Sequence, residues 1–330
     1  MAPAAAAAEQ AACVWTPAIL PLPAGALTGQ VVESDGSGGY AGTISYGARS
    51  EEGGHAVLWK NGTFTDYGNL ADPEYQNWVI VTGVNDAGTV TGNAYRETDG
   101  LPSAIRSHNG QMERLPELPR AEASVAEGVN DHGDIVGAVE TPSSDGPRYQ
   151  AVIWPVDKPG TVVKLTGLPN GETFATGIDQ DGTVLVTVDT GSGRVPYLWK
   201  DGKARRLTLP RGAFAVVVRG ISNGRVIGEV TGQPGSGAPS VLWEQDGQPQ
   251  AVTRSADIRD INRDGQIVGR TDDPSWHEFG VWQRTALGAT LSYAPDRGFD
   301  LAVSSDDGTI AGRSWKIPGG LDEPTVWTCR

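Results

Sequence analysis

The sequence predicts an all-β fold: a seven-bladed β-propeller of four-stranded antiparallel blades, the last closed by the N-terminal strand. The first observation is an apolar-Trp pair near the end of a short strand. It returns at Trp59, Trp154, Trp199, Trp243, Trp282 and Trp327, with Arg106 in the slot between the first two. The spacings are 47, 48, 45, 44, 39 and 45 residues, which makes seven copies of one unit. The second is a recurring turn, seen at Asn85 to Gly88, Asn130 to Gly133, Asn262 to Gly265 and Ser305 to Gly308. The third is composition: 45 glycines, only 2 methionines and 5 phenylalanines, and no useful helix-period apolar segment.

One unit shows how the strands are laid out. Glu172 to Asp179 alternates as a first strand, and Gln180-Asp181-Gly182 makes a tight turn. Thr183 to Asp189 is the second strand, Thr190 to Val195 a loop, and Pro196 to Trp199 the third. Lys200-Asp201-Gly202 turns the chain into a fourth strand at Lys203 to Leu209. Four antiparallel strands in about 40 residues is the size of one propeller blade. In the first turn the glycine supplies a positive φ, and the leading Asn, Asp or Ser accepts hydrogen bonds from its own turn. First strands are expected near Val32, Val84, Val129, Ile178, Ile221, Ile261 and Val303. Gly220-Ile221-Ser222-Asn223-Gly224 matches a nucleophile-elbow string, but it falls in the turn slot, where no strand-to-helix transition is expected.

The last unit ends after its third strand, Thr325 to Cys329, so its fourth must come from elsewhere. Ala18 to Leu22 resembles the fourth-strand segment Arg114 to Leu118 and is expected to fill the gap. The prolines at 17, 21 and 23 suit an edge strand. Cys13 and Cys329 are the only cysteines and flank the cut turn of this blade. A disulfide between them would clamp the ring and implies an oxidising compartment. Residues 1–12 read as the disordered start of a mature chain whose signal peptide is gone, and 13–330 as one propeller domain.

The formal net charge is −14, which disfavours nucleic acid and anionic membranes. No apolar run reaches the ~18 residues that cross a bilayer. The acidic turns offer too few oxygen ligands for calcium, so neither metal nor cofactor is expected. On its own the ring is expected to be a monomer.

Gly54-His55-Ala56-Val57-Leu58-Trp59-Lys60-Asn61-Gly62, followed by Asp66-Tyr67-Gly68-Asn69-Leu70, resembles the HAF extracellular repeat. Asp260 to Gly269 and Gly128 to Gly137 resemble its first half. The resemblance runs from about residue 13 to 330 and implies a secreted bacterial β-propeller; it brings no catalytic residues.

The Trp ladder is expected to pack between blades with its indole N–H groups satisfied, so function should sit in the non-repeating loops. Loops between second and third strands share a face with the inter-blade connections, opposite the tight turns. That face gathers aromatic and charged residues from blades six, seven, one and two. Trp276 and Trp315 stand outside the repeat slots and are the leading candidates, with His277, Glu278 and Asp273 beside the first. Trp78, Tyr75, Arg49, His55 and Arg96 complete the candidate set. Blades four and five look poor, since Gly, Ser and Pro dominate their loops.

The expected function is a secreted binding module for a glycan or protein ligand. One alternative is a carbohydrate-active hydrolase or lyase with His and carboxylates at the channel mouth. A structural subunit of an extracellular assembly is another.

Overall fold

The computed structural model describes residues 14–47, 53–142, 148–191, 193–231 and 240–330. Its strands form seven sheets, each of four antiparallel strands. The inner strands are Thr28–Ser34, Tyr75–Val84, Ala123–Val129, Glu172–Ile178, Ala215–Ser222, Ser255–Ile261 and Arg297–Ser304. Each contains or immediately adjoins the residue expected from the sequence. Among the described residues no helix is long and apolar enough to cross a membrane.

The seventh blade is built from both termini. Trp15–Ile19 pairs antiparallel with Glu323–Cys329, in a register that sets Trp15 opposite Cys329 and Ile19 opposite Thr325. This strand begins three residues before the expected Ala18 to Leu22. The reason is local. Leu20 donates its N–H to Pro324 O (2.8 Å), Pro21 has none to donate, and the Pro21 carbonyl is taken by the Trp59 indole (2.7 Å). Beyond the strand, Val14 and Arg330 exchange backbone bonds of 3.0 and 3.2 Å. Cys13 lies outside the described residues, as do residues 1–12.

The ladder tryptophans are the mortar of the ring. The indoles of Trp59, Trp154, Trp199, Trp243 and Trp282 each donate a 2.7 Å bond to a carbonyl, at Pro21, Pro116, Thr166, Thr208 and Thr253 respectively. These acceptors follow outer strands and precede the next blade. Each ladder Trp also packs against the preceding blade, as Trp243 does with Leu185 and Leu198 and Trp282 does with Ile227 and Leu242. Losing such a side chain costs about 3–5 kcal/mol. Arg106 instead pairs with Glu113 of its own hairpin at 3.0 Å.

The tight turns behave as their residues dictate. Asn130 Oδ1 accepts from the N–H groups of Gly133 and Asp134, and Asn262 Oδ1 from those of Asp264 and Gln266. Side chains also pass from turn to turn around the ring: Asn85 Nδ2 donates to Asn130 O, and Asn262 Nδ2 to Ser305 O. Ser222 ends a strand and leads into a hairpin in which Asn223 and Gly224 both have positive φ. That is a two-residue turn and not an elbow.

Every inner strand carries a β-bulge near its turn end, for example between Ala126 and Gly128 and between Val218 and Gly220. In six blades a glycine on the second strand faces the bulge. A Cβ on Gly137 would lie 1.8 Å from Val125 O, so no larger residue fits there. The bulge fixes which side chains point into the central channel.

Candidate functional site

Two layers of inner-strand side chains line the channel. The residue five places before each turn's Asn, Asp or Ser forms the upper layer, nearer the long-loop face. The bulge residue, three places before, forms the lower. Between them one residue turns into the sheet, as Val31, Val81, Ala126, Ala175, Ile258 and Leu301 do, and is buried.

The upper layer is divided. Blades two to five present Ile80, Val125, Phe174 and Val217, and Ile80 and Val217 are 40% and 38% exposed. Phe214, on the connection into blade five, is 57% exposed. Blades six and seven present Asp257 and Asp300 instead. Blades four and five, poor in their loops, are therefore rich in lumenal apolar surface. That surface was missed because Val125, Phe174 and Val217 look like ordinary strand alternation.

The charged half is knitted by arginines. Asp300 accepts from Arg259 (2.8 Å) and Arg270 (3.1 Å) and lies 3.6 Å from Arg313. Arg259 also bonds Asp257 (3.0 Å), and Arg313 bonds Asp322 (2.7 Å). The Arg270 guanidinium sits 4.5 Å from the centre of the Phe279 ring and bonds the Trp276 carbonyl. Arg219 of blade five turns toward this half, bonding Glu229 at 3.2 Å with Asp257 at 4.0 Å.

Several sequence candidates gather above this half. Trp276 is 56% exposed and has φ +60, an unusual backbone for an aromatic residue. Asp273 holds its own loop, accepting from the Ser275 N–H (3.0 Å) and hydroxyl. His277 stacks on Tyr293 with ring centroids 4.6 Å apart, and Tyr293 meets Trp315 edge-on at 5.8 Å. Glu278 accepts from the Thr271 hydroxyl (3.0 Å) and lies 3.6 Å from Arg254.

The other candidates sit apart. Trp78 stacks on Tyr95 at 5.0 Å on blade two, above Ile80. Tyr75 is buried, its hydroxyl bonded to Ser103 (2.8 Å) and Arg114 (3.1 Å). Arg96 bonds Asp99 (3.1 Å) and the Glu122 carbonyl (2.7 Å). His55 bonds Asp66 (3.0 Å), which also accepts from the Tyr46 hydroxyl (2.9 Å). Arg49 lies outside the described residues.

Three channel carboxyls have ionisation displaced upward. Burial lifts Glu127 to about 7. Burial also lifts Asp260 to about 7, although Asp260 accepts backbone bonds from Ser304 and Ile261. Glu33 stands well above the usual carboxylate range through burial, then through the charges of Asp260 and Glu127. Water reaches Glu127 through the open mouth, but protein crowds it on the remaining sides, and that crowding governs its ionisation. The lower layer was legible at one point. Where blades two and four carry Thr82 and Thr176 three places before the turn, blade three carries Glu127.

No described protein family matches the sequence. No curated protein matches it either. Solved structures do. TolB from Acinetobacter baumannii is 12% identical over 90% of this chain and 65% of its own, with a TM-score of 0.49. YCF48 bound to D1 peptide is 11% identical over 98% of both chains, at 0.50. A puromycin-hydrolyzing peptidase from Mycobacterium tuberculosis is 11% identical over 90% of this chain and 53% of its own, at 0.53. The chain thus spans just under two thirds of the TolB chain and about half of the peptidase. At these identities the likeness is one of fold.

Proposed function

We propose that this chain is a protein-binding module that takes a partner segment across the long-loop mouth of its channel. The observation that carries this reading is the open apolar arc of Ile80, Val125, Phe174 and Val217, extended by exposed Phe214. Apolar surface left open in a concavity is suited to the apolar side chains of a partner. Trp276 supplies an aromatic anchor on the opposite side of the mouth. YCF48, a propeller of the same fold, is described with a D1 peptide bound. Aliphatic walls favour a protein over a glycan, because a sugar needs flat rings flanked by polar groups. A hydrolase or lyase would need His and carboxylates converging on one point. His55 and His277 instead lie in blades one and six, against Asp66 and Tyr293.

The natural setting we read as extracellular, in a HAF-repeat propeller clasped by a Cys13–Cys329 disulfide. The support is the repeat pattern and the pairing of the two terminal strands. Non-reducing peptide mapping should recover that linked pair.

Selection from a displayed peptide library, run beside a glycan array, tests the binding reading. Peptides should be enriched, and Phe174→Ala should weaken them by about tenfold or more. Glycan binders without peptide binders, or peptides indifferent to the substitution, would overturn it.

A further inference from the structure

We propose that the mouth contains a subsite for the cationic end of a partner's lysine or arginine side chain, its carbon stem lying along the apolar arc and its charge meeting Glu127. The proposal rests on the protein-binding reading and names the residue type that this surface selects.

Geometry comes first. Glu127 is the bulge residue of blade three, where the register shifts between Ala126 and Gly128. Its side chain shares one cavity with Val125, Phe174, Val216 and Val217. Among the described residues it has neither a hydrogen-bond partner nor an ion pair. Apart from Glu33, the other charges in the channel are committed elsewhere among the described residues. Arg219 is held by Glu229, Arg259 by Asp257 and Asp300, and Asp260 by backbone N–H groups. Arg194 lines the same cavity, its guanidinium 5.4 Å from the Phe174 ring centre and 3.6 Å from Asp189. So among the described residues Glu127 is the one carboxyl of a cavity walled by Val125, Phe174, Val216 and Val217, with Thr176, Thr187 and Arg194 as its other polar members.

The cleft's shape and charge narrow the occupant. The two layers are two residues apart along a strand, roughly 6.5 Å, which the four-carbon stem of a lysine can span. Its methylenes would cover the valines while the ammonium reached Glu127. A bare metal ion would find one carboxylate and apolar walls, too few oxygens to replace its water. An anionic group would meet Glu127 with Glu33 and Asp260 behind it. The net charge of −14 draws cations toward the site.

Ionisation supports the same picture. Glu127 is exposed toward the channel, and crowding by protein on its other sides is the one influence that holds its carboxyl up, at about 7. The groups around it are Glu33, Asp260, Tyr95, Arg219 and Arg194, and none supplies a compensating ion pair. Its charge in turn adds to burial in raising the Tyr95 hydroxyl. An arriving ammonium would favour the charged carboxylate and draw its titration downward.

The test uses two probes on the full chain: Nα-acetyl-lysine methylamide and its norleucine counterpart. Carbon NMR of the side-chain carboxyls follows Glu127, identified by the signal lost in Glu127→Gln. The lysine probe should lower the Glu127 midpoint by about one unit, equivalent to a tenfold preference for the ionised form, and norleucine should leave it in place. Equal effects from the two probes would overturn the subsite. In peptides that bind the mouth, Lys→norleucine should cost about tenfold in wild type and almost nothing in Glu127→Gln. If such peptides bind but tolerate norleucine, the subsite fails and the protein-binding reading stands. If no peptide binds while the lysine probe still shifts Glu127, the subsite stands and that reading falls.

Discussion

The two halves of the channel mouth occupy equivalent places in one repeat and have opposite chemistry. In blades six and seven the lumen positions carry Asp257 and Asp300, and three arginines close around them. In blades two to five the same positions carry Ile80, Val125, Phe174 and Val217, with Glu127 beneath them unpaired among the described residues. The charged half satisfies itself, so its groups act as structure. The apolar half leaves water-exposed carbon and an unmatched charge, so its groups are available to a partner. Charged residues are a poor guide to a binding site when their partners are already in the same molecule.

The sharpest way to break this contrast is to remove an arginine from the satisfied half. Arg270→Ala deletes the bond to Asp300, the contact with Phe279 and the clamp on the Trp276 carbonyl. Because the arginine is largely buried, the loss should be about 2–4 kcal/mol, read as a lower denaturant midpoint. The equivalent blow to the apolar half should act on binding instead. Val217→Asn should weaken mouth-bound peptides by about tenfold or more, yet shift stability by less than about 1 kcal/mol, since Val217 is already 38% exposed. Trp276→Gly offers a smaller effect of opposite sign. Glycine accepts φ +60 without strain, so stability should rise by up to about 1 kcal/mol while binding falls.

The smallest effect is on pH dependence. Glu33, Glu127 and Asp260 have folded ionisation displaced above the unfolded range near 4. The stability that Glu127 and Asp260 contribute is complete below that range and is lost as pH rises to about 7, and Glu33 acts in the same direction. Asp35 and Asp181 are displaced downward, and their contribution is lost on the acid side. The melting temperature should therefore fall from pH 5 to pH 8. Glu127→Gln should reduce that fall by on the order of a degree.

The fold was largely legible in the sequence because it repeats. Glycine turns led by Asn, Asp or Ser recur from blade to blade, six of the seven carry a strand-end tryptophan, and both features have structural reasons to recur. The N-terminal strand begins three residues earlier than expected because its template, Arg114 to Leu118, itself leaves the outer strand of blade two at Arg114, where Pro116 caps Trp154 as Pro21 caps Trp59. Trp276 and Trp315 stood out by lying off the repeat. The apolar arc did not. In sequence, Phe174 alternates like any half-buried strand residue, and only ring closure turns its outer face into a channel wall. Glu127 stands between the threonines of blades two and four, but its isolation depends on where the neighbouring charges find partners.

Site-directed photo-crosslinking tests the central claim most directly. A photoreactive residue at position 217, on the apolar arc, is compared with one at 163, on the outer strand of blade three, using peptides selected on the wild-type chain. The account predicts crosslinks from 217 and none from 163. Crosslinking from 163 alone, or equally from both, would contradict it.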